Sequence, residues 1–429
     1  MKHSLETRNL SFWAPLTFID TPDNDLFDFQ IFLNSWYQFL PKWKLEVSHI
    51  LEHCLFEKNK NFASTLEFKY ALETLWAGKN WVSTYSLNYY SIQWTRDKSK
   101  ELIFLLLRLV NEPVLEEEIF LQQKEVVKNE IISARNDFKR ELSTMMSALV
   151  KEKLISYQER IWEVENISFE DVKSFYDSHY TWMNSKFIIA WDVSGLKDDI
   201  TFALENYYRN MPKWKYFPLD YDIKKDYAKK SVYLEDSQKS NYEIFLRFIV
   251  ETEDKELRNK FSFLMNLFMS WLWSRIQYKG RQQWLIYTLR SESWGFKEYL
   301  QLGFSEGVSE EKIIPLLKLI IDEIKDVIAW NVEEQELERA RWYMQGNYLR
   351  NFNSWGKLIE YYTDRLILDE GKLDFYEMLD RIKKFTKEDL MDFWKILDFN
   401  NWTFWIIGKN AKEKSQEVTS FLKEYINNN

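Results

Sequence analysis

The sequence predicts a mixed α and β fold in two related halves, and three observations lead to this prediction. The chain has 429 residues, more than one hydrophobic core usually organises. Segments with strand-like alternation and segments with helical periodicity follow one another along it. One pattern, a capped helix followed by a short apolar strand, occurs twice at a distance of about half the chain. We therefore expect two domains, 1–215 and 216–429.

The first half begins with strands and continues with helices. Residues 16–39 alternate like a strand, and helices are expected at 44–56 and at 64–76. Ser64 is a suitable N-cap for the second helix, and Gly78 is placed to end it. One long strand is then expected at 81–94, which is rich in Thr, Tyr, Ser and Val. Helical periodicity dominates 98–158, with an interruption at Pro113.

The repeated pattern is the main evidence for two halves. Ser168–Phe175 resembles Thr386–Phe393, and in both a capping residue precedes acidic side chains. The apolar strands Phe187–Trp191 and Phe404–Gly408 follow them, with offsets of 218 and 217 residues. Because element order and spacing both match, duplication explains the pattern better than chance. The polar segment 212–230, with two prolines, is the expected boundary.

Composition excludes several classes of function. A net charge of -9 argues against binding to nucleic-acid phosphates, which requires clustered Lys and Arg. Cys54 is the one cysteine, so no disulfide can form within the chain and a reducing compartment is expected. The N-terminus has no signal-peptide pattern, and no stretch approaches the roughly 18 apolar residues of a membrane span. The expected location is cytoplasmic, without a membrane partner.

A metal-binding pattern lies within the helix expected at 44–56. His49 and His53 are four positions apart, so both imidazoles share one helical face, and Glu52 points the same way. Imidazole nitrogens suit zinc, and a neighbouring carboxylate can take a proton from a zinc-activated water. The chain has only four histidines, so two in this arrangement are improbable by accident. The alternative is that both are surface residues and that Glu52 pairs with a lysine.

This motif resembles that of the insulinase and mitochondrial-processing-peptidase family, the M16 or pitrilysin-like inverted zinc peptidases. In that family a glutamate on a later helix, 77 residues after the second histidine, is the third zinc ligand. Glu130 occupies that position here. The resemblance implies an α+β fold of two homologous domains, each a mainly antiparallel sheet with helices on one side. It also implies a Zn²⁺ cofactor held in the first domain by His49, His53 and Glu130.

The resemblance also implies residues that bind substrate. The segment around Asn80, Trp81, Val82 and Thr84 resembles the family's edge strand, to which a peptide adds as an extra strand. In the second half, Tyr287 resembles the tyrosine that supports the scissile carbonyl from across the cleft. The alternative for Tyr287 is an ordinary strand aromatic in the core.

Two positions depart from the family pattern. Seven residues before the third ligand the family usually has a second glutamate, whereas this chain has Gln123, which adds no negative charge near the metal. The family's substrate-contacting arginine stands seven residues before the tyrosine. Here that place is Gly280, and Arg281 follows one position later.

The expected function is that of a zinc endopeptidase that cuts peptides held as an added strand in a closed chamber. Glu52 would deprotonate the attacking water and pass the proton to the leaving amine. By the same resemblance, a homodimer or a heterodimer with a related subunit is expected. One alternative is a non-catalytic partner subunit, which Gln123 favours and the retained ligands oppose. A second is a zinc hydrolase of non-peptide substrates.

Tryptophan is unusually frequent, with 20 residues against 10 glycines. Trp162, Trp191, Trp284 and Trp330 stand where the internal repeat or the family pattern has glycine. One hypothesis is that these positions come from UGA codons that the source organism reads as glycine. The alternative is a protein that is genuinely rich in tryptophan.

Overall fold

A computed structural model of the chain describes residues 2–11, 14–22, 24–35, 37–74, 78–83, 88–193, 195–209, 216–218, 223–224, 226–269, 274–295, 299–329, 331–352, 354–367 and 375–428. The strands are β1 (Ser4–Asn9), β2 (Pro15–Asp20), β3 (Leu26–Leu33), β4 (Gly78–Ser83), β5 (Asn88–Thr95), β6 (Ser185–Trp191), β7 (Lys230–Glu235), β8 (Tyr242–Glu251), β9 (Arg290–Ser291), β10 (Trp294–Gly295), β11 (Tyr299–Val308) and β12 (Trp402–Gly408). The helices are α1 (Val47–Leu55), α2 (Thr65–Thr74), α3 (Ser99–Asn111), α4 (Glu117–Arg135), α5 (Phe138–Val150), α6 (Tyr157–Glu165), α7 (Phe169–His179), α8 (Lys197–Tyr208), α9 (Lys255–Met269), α10 (Arg275–Gln282), α11 (Ile313–Ile328), α12 (Glu334–Asn351), α13 (Trp355–Ile367), α14 (Phe375–Lys384), α15 (Lys387–Trp394) and α16 (Ala411–Asn428).

The chain forms two compact units. The first comprises residues 1–137 and 153–222, and the second comprises residues 138–152 and 223–429. The helix α5 thus belongs to the second unit, where it packs on β7 and β12. The expected halves 1–215 and 216–429 describe a duplication rather than this packing, so they stay a prediction.

The first unit contains a six-stranded sheet in the order β1-β2-β6-β3-β5-β4. Its neighbours are antiparallel except for the parallel pair of β2 and β6. Alternate residues such as Phe27, Phe29 and Ile31 are fully buried in one core with apolar side chains of the helices. Burial of one sheet face by helices is the main stabilising term of such a layer.

The second unit contains a sheet in the order β10-β11-β8-β12-β7, with β9 also paired to β11. Here β7 and β12 are parallel, and the neighbours from β12 to β10 are antiparallel. The order and directions of β7, β12, β8 and β11 therefore repeat those of β2, β6, β3 and β5 in the first unit. Two mainly antiparallel sheets packed with helices confirm the expected fold class.

The repeated sequence pattern forms the expected elements. Helix α7 begins with a capping box in which Ser168 and Asp171 exchange hydrogen bonds. At α15 the Thr386 and Asp389 side chains make the corresponding contacts. The strands β6 and β12 follow these helices and occupy corresponding places in the two sheets.

Two local predictions were wrong. The expected single strand at 81–94 is a pair of antiparallel strands, β4 and β5, because aromatic and β-branched residues favour strand on both sides of the reversal. Gly78 is the first residue of β4 and pairs with Gln93, so it does not serve as the end of a helix. The helix expected at 64–76 is described as α2, and Ser64 Oγ accepts a hydrogen bond from the Glu67 backbone N–H as its cap.

The tryptophans at glycine-like positions lie in different environments. Trp284 has a φ of 57°, in the left-handed region that favours glycine, and its side chain is 83% exposed. Trp162 lies in α6 and Trp191 is buried against Phe27 in the core. Trp330 lies outside the described residues. Backbone conformation thus favours glycine at 284 in particular.

Candidate metal centre

The two histidines of the motif lie on one face of α1. The opposite face of this short helix, with Ile50, Leu51 and Leu55, is buried in the core of the first unit. His49 and His53 are partly exposed, with side-chain exposures of 17% and 22%, and their ring centroids are 5.1 Å apart. Core burial therefore fixes the rotation of the helix, and the i, i+4 spacing brings the two imidazoles together.

Helix α4 supplies the third side chain of the site. It packs against α1, and the Glu130 Oε2 atom lies 3.4 Å from His49 Nε2 and 3.5 Å from His53 Nε2. One ligand atom from each of the three residues lies within 4.8 Å of the others. Among the described residues, His49, His53 and Glu130 form the one group of three His, Cys, Asp or Glu side chains close enough together to hold a metal ion.

Carboxylates dominate the electrostatics of this site. Burial alone would lower the pKa of His49, but hydrogen bonds to Glu130 and Glu46 and the nearby charge of Glu52 outweigh it and raise that pKa to about 9. The pKa of Glu130 is lowered, chiefly by its hydrogen bond to His49. Burial lowers the pKa of His53, and the charge of His49 lowers it further. The surplus of negative charge makes the site attractive to a cation.

A buried cluster behind His49 was not predicted from the sequence. The Glu46 side chain is fully buried, and its Oε2 lies 2.9 Å from His49 Nδ1. Its Oε1 accepts hydrogen bonds from Arg160 Nε at 2.5 Å and from the Tyr37 hydroxyl at 2.9 Å. Glu46 precedes His49 by three positions, a spacing that places it on the same helical side, so the sequence contained a signal for it. No spacing rule connects Arg160 to the motif.

Gln123 and a cavity lie on the other side of the site. The Gln123 side chain hydrogen-bonds to the ring of His53, so an amide at this position still contacts the candidate site. A cavity of about 270 Å³ opens beside Glu52 and His53. Its remaining lining residues are Phe56, Glu57, Lys69, Leu72, Glu73 and Gln123. Glu52 is buried and faces this cavity, where a reacting group could reach it.

The substrate-binding positions are only partly described. Asn80, Trp81 and Val82 belong to β4, the terminal strand of the first sheet, whereas Thr84 lies outside the described residues. Tyr287 lies in a loop of the second unit and is 88% exposed, which is not the environment of a core aromatic. Arg281 lies at the end of α10. The roles of these residues stay predictions.

The three side chains fit a zinc ion by their chemistry and by their convergence. Two imidazole nitrogens and one carboxylate are the ligand set of many catalytic zinc sites. Both Nε2 atoms face the same carboxylate oxygen, and the Nδ1 atom of His49 is engaged by a carboxylate from behind, as is usual for metal-binding histidines. The cysteine next to the motif, Cys54, is buried in the core and is not part of this group.

Comparison with known proteins points to one fold. Residues 166–344 match the family model described as the Peptidase M16 inactive domain. A protease from Helicobacter pylori has 15% sequence identity and a TM-score of 0.79, with 95% of this chain and 100% of that chain covered. The chain has the fold of the M16-like peptidases. No curated protein matches its sequence.

Two further structures with the M16-like fold agree. A putative M16-like peptidase from Alicyclobacillus acidocaldarius has 14% identity and a TM-score of 0.77, and a peptidase M16 inactive domain from Pseudomonas fluorescens has 14% identity and a TM-score of 0.76. Each alignment covers 95% of this chain and 98% of the other. The part of this chain that matches the inactive-domain family model begins after Glu130 and so excludes the candidate metal centre. None of the described helices is both long and apolar enough to span a bilayer.

Proposed function

We propose that this chain is a member of the M16 family and hydrolyses peptide bonds with a zinc ion bound by His49, His53 and Glu130. The observation that carries the proposal is the approach of both Nε2 atoms to one Glu130 oxygen, at 3.4 and 3.5 Å, from a helix far along the chain. The structural relatives are at most 15% identical to this chain, which supports the fold alone, so the proposed chemistry rests on these side chains.

Glu52 is the proposed catalytic base. A zinc ion held by His49, His53 and Glu130 would supply Lewis-acid chemistry at this site. Glu52 lies on α1 between the two histidines and lines the neighbouring cavity. Its carboxylate accepts the proton of the water and then returns it to the leaving amine. Tyr287 is proposed to stabilise the developing oxyanion, in keeping with the family resemblance.

The proposed substrate is a peptide in extended conformation. The strand β4 ends the sheet of the first unit, and an edge strand offers backbone groups to an added strand. The cavity beside Glu52 is proposed to take a side chain next to the scissile bond. Phe56 and Leu72 give it apolar walls, and Glu57 pairs with Lys69 at 2.8 Å within it. We also propose that the chain works in the cytoplasm as a homodimer or as a heterodimer with a related subunit, without nucleic-acid or membrane partners.

A second candidate function is that of a non-catalytic M16-like subunit that binds peptide or stabilises an active partner. The description of the matched family model as an inactive domain favours it. Gln123 favours it as well, because an amide contributes no negative charge beside His53. Against it stands the complete set of two histidines, Glu130 and the base Glu52.

The experiment that separates these functions combines metal analysis with a quenched-fluorescence peptide assay. The wild-type protein should bind one zinc ion per chain and hydrolyse a mixed peptide library. Glu52→Gln should retain zinc and lose hydrolysis, because the amide cannot accept the proton. Glu165→Gln, an exposed acid of α6, is the matched control and should retain both.

Two results would contradict the proposal. Hydrolysis by the Glu52→Gln variant at the wild-type rate would remove Glu52 as the base. Zinc binding without hydrolysis of any library peptide by the wild-type chain, alone or with a related subunit, would favour the non-catalytic function.

A further inference from the structure

We propose that Glu46, anchored by Arg160 and Tyr37, is a positioning residue that fixes the orientation and the tautomer of His49 for metal binding. This role rests on the proposed function, since it concerns the way one proposed ligand is presented to the metal. Glu46 would not touch the metal or the substrate.

The two carboxylate oxygens of Glu46 contact different groups. Its Oε2 lies 2.9 Å from His49 Nδ1, on the side of the ring away from Glu130. Its Oε1 accepts from Arg160 Nε at 2.5 Å and from the Tyr37 hydroxyl at 2.9 Å. Arg160 Nη2 also donates to the Tyr37 hydroxyl at 2.7 Å, which closes the cluster.

The charge of Glu46 determines the tautomer of His49. Glu46 Oε1 accepts hydrogen bonds from Arg160 Nε and the Tyr37 hydroxyl, and pairing with the guanidinium favours the ionised form of this carboxylate. An ionised carboxylate can only accept hydrogen bonds, so His49 Nδ1 must carry a proton. In the neutral ring the lone pair then lies on Nε2, the atom that faces Glu130.

Burial makes this arrangement rigid. The Glu46 side chain has no solvent exposure, and the Arg160 side chain is 16% exposed. The Arg160 guanidinium also lies over the rings of Tyr37 and Tyr157, at 5.6 and 5.0 Å from their centroids. A carboxylate that is held by a cation and a hydroxyl cannot turn away from His49 without leaving the cation unpaired in the interior, which is costly.

The decisive variant is Glu46→Gln, because an amide has a single acceptor oxygen. If that oxygen serves Arg160 and Tyr37, the amide NH₂ group faces His49 Nδ1 and favours the tautomer with a proton on Nε2. If the oxygen serves His49, Arg160 loses its acceptor. We expect zinc affinity, measured by competition with a chromophoric chelator, to fall by about 10–100-fold. The spectrum of the Co²⁺-substituted protein should change as well.

Glu163→Gln is the matched control. The Glu163 side chain is equally buried, and it accepts hydrogen bonds from the backbone N–H groups of Leu45 and Glu46 just before α1, whereas the Glu46 side chain lies against the His49 ring. The same exchange there tests whether any loss of a buried carboxylate beside α1 weakens zinc binding. We expect this variant to keep the zinc affinity and the Co²⁺ spectrum of the wild type.

A measurement on the wild-type protein covers the case in which Glu46→Gln does not fold. With only four histidines in the chain, ¹⁵N-histidine NMR can resolve the His49 ring. The zinc-loaded protein should show a protonated Nδ1 and a metal-bound Nε2 for His49. The reverse assignment would overturn the positioning role.

The outcomes separate this role from the proposed function. Wild-type zinc affinity in Glu46→Gln, or equal losses in Glu46→Gln and Glu163→Gln, would overturn the role while leaving the zinc site intact. A wild-type protein that does not bind zinc would overturn the proposed function, and the positioning role with it.

Discussion

His53 and Glu130 are 77 residues apart in the sequence, and their Nε2 and Oε2 atoms are 3.5 Å apart in the structure. This distance follows from the packing of α4 on α1, whose orientation is fixed by its buried face. The site therefore depends on the position of a whole helix. Metal binding at this site can therefore be measured separately from the stability of the core on which α4 packs.

Removing the carboxylate of Glu130 should strongly weaken zinc binding while the fold is retained. The Glu130 side chain is 52% exposed, so Glu130→Gln disturbs little packing, but it replaces a charged ligand by a weaker neutral one. We expect zinc affinity to fall by at least about 100-fold, which is more than the loss typical when a residue that only hydrogen-bonds to a metal ligand is removed. Glu125→Gln, an exposed acid of the same helix, should bind zinc normally. Equal zinc affinity in the two variants would exclude Glu130 as a ligand.

His179 should make the fold sensitive to acid. Its ring is stacked between Phe175 and Phe217, and burial lowers its pKa to about 4. Because the pKa of a histidine in the unfolded chain is about 6.5, the unfolded chain binds more protons than the folded chain between these two pKa values. The contribution of His179 to the free energy of unfolding is thus fully present above about pH 6.5 and is lost as the pH falls towards 4.

The variant His179→Phe keeps the stacked ring and removes its titration. The free energy of unfolding, measured by urea denaturation from pH 4 to 7, should fall less steeply on acidification than in the wild type. The difference between the two proteins should grow by up to roughly 3 kcal/mol across this window. Parallel curves for the two proteins would show that His179 does not carry this acid sensitivity.

Gly303 should be intolerant of a methyl group. A Cβ atom at this position in β11 would lie 2.4 Å from the Glu292 carbonyl oxygen and 2.7 Å from the Phe245 ring. Gly303→Ala should therefore destabilise the protein by about 1–3 kcal/mol, as overpacking does elsewhere. Gly307→Ala in the same strand is the control, since its Cβ would meet nothing closer than 4.0 Å. A thermal melt in which both variants unfold at the same temperature would refute this explanation.

Trp284→Gly should stabilise the chain. An exposed residue at a φ of 57° loses few contacts on truncation, and release of left-handed strain is worth about 1 kcal/mol. Trp162→Gly, the same exchange within α6, should cost about 1 kcal/mol because glycine disfavours helix. Mass spectrometry of the natural protein tests the recoding hypothesis directly, and intact tryptophan at 284 would end it for that position.

Patterns of short range in the sequence predicted much of the fold. The amphipathic period around His49 and the caps at Ser64 and Ser168 mark helices that the structure contains. The reversal between β4 and β5 was missed because residues with high strand propensity continue on both sides of it. Strand propensity is a property of single residues, whereas the change of direction between β4 and β5 depends on side-chain pairing between the two strands.

The candidate site likewise contains some residues that the sequence predicts and others that only the structure brings together. His49, Glu52 and His53 follow from helical geometry, and Glu130 came from resemblance rather than from any local pattern. The contact of Arg160 with Glu46 joins residues from α6 and the start of α1, and only the packed structure brings them together. Pairings of this kind depend on the arrangement of helices, which single-sequence patterns do not encode.

Zinc coordination by His49, His53 and Glu130 can be tested directly in a crystal of the protein grown with zinc, with anomalous data recorded on both sides of the zinc absorption edge. We expect one strong zinc peak at bonding distance, about 2.0–2.2 Å, from His49 Nε2, His53 Nε2 and a Glu130 carboxylate oxygen. A zinc-saturated crystal with no peak between these three side chains would show that they do not form a zinc site.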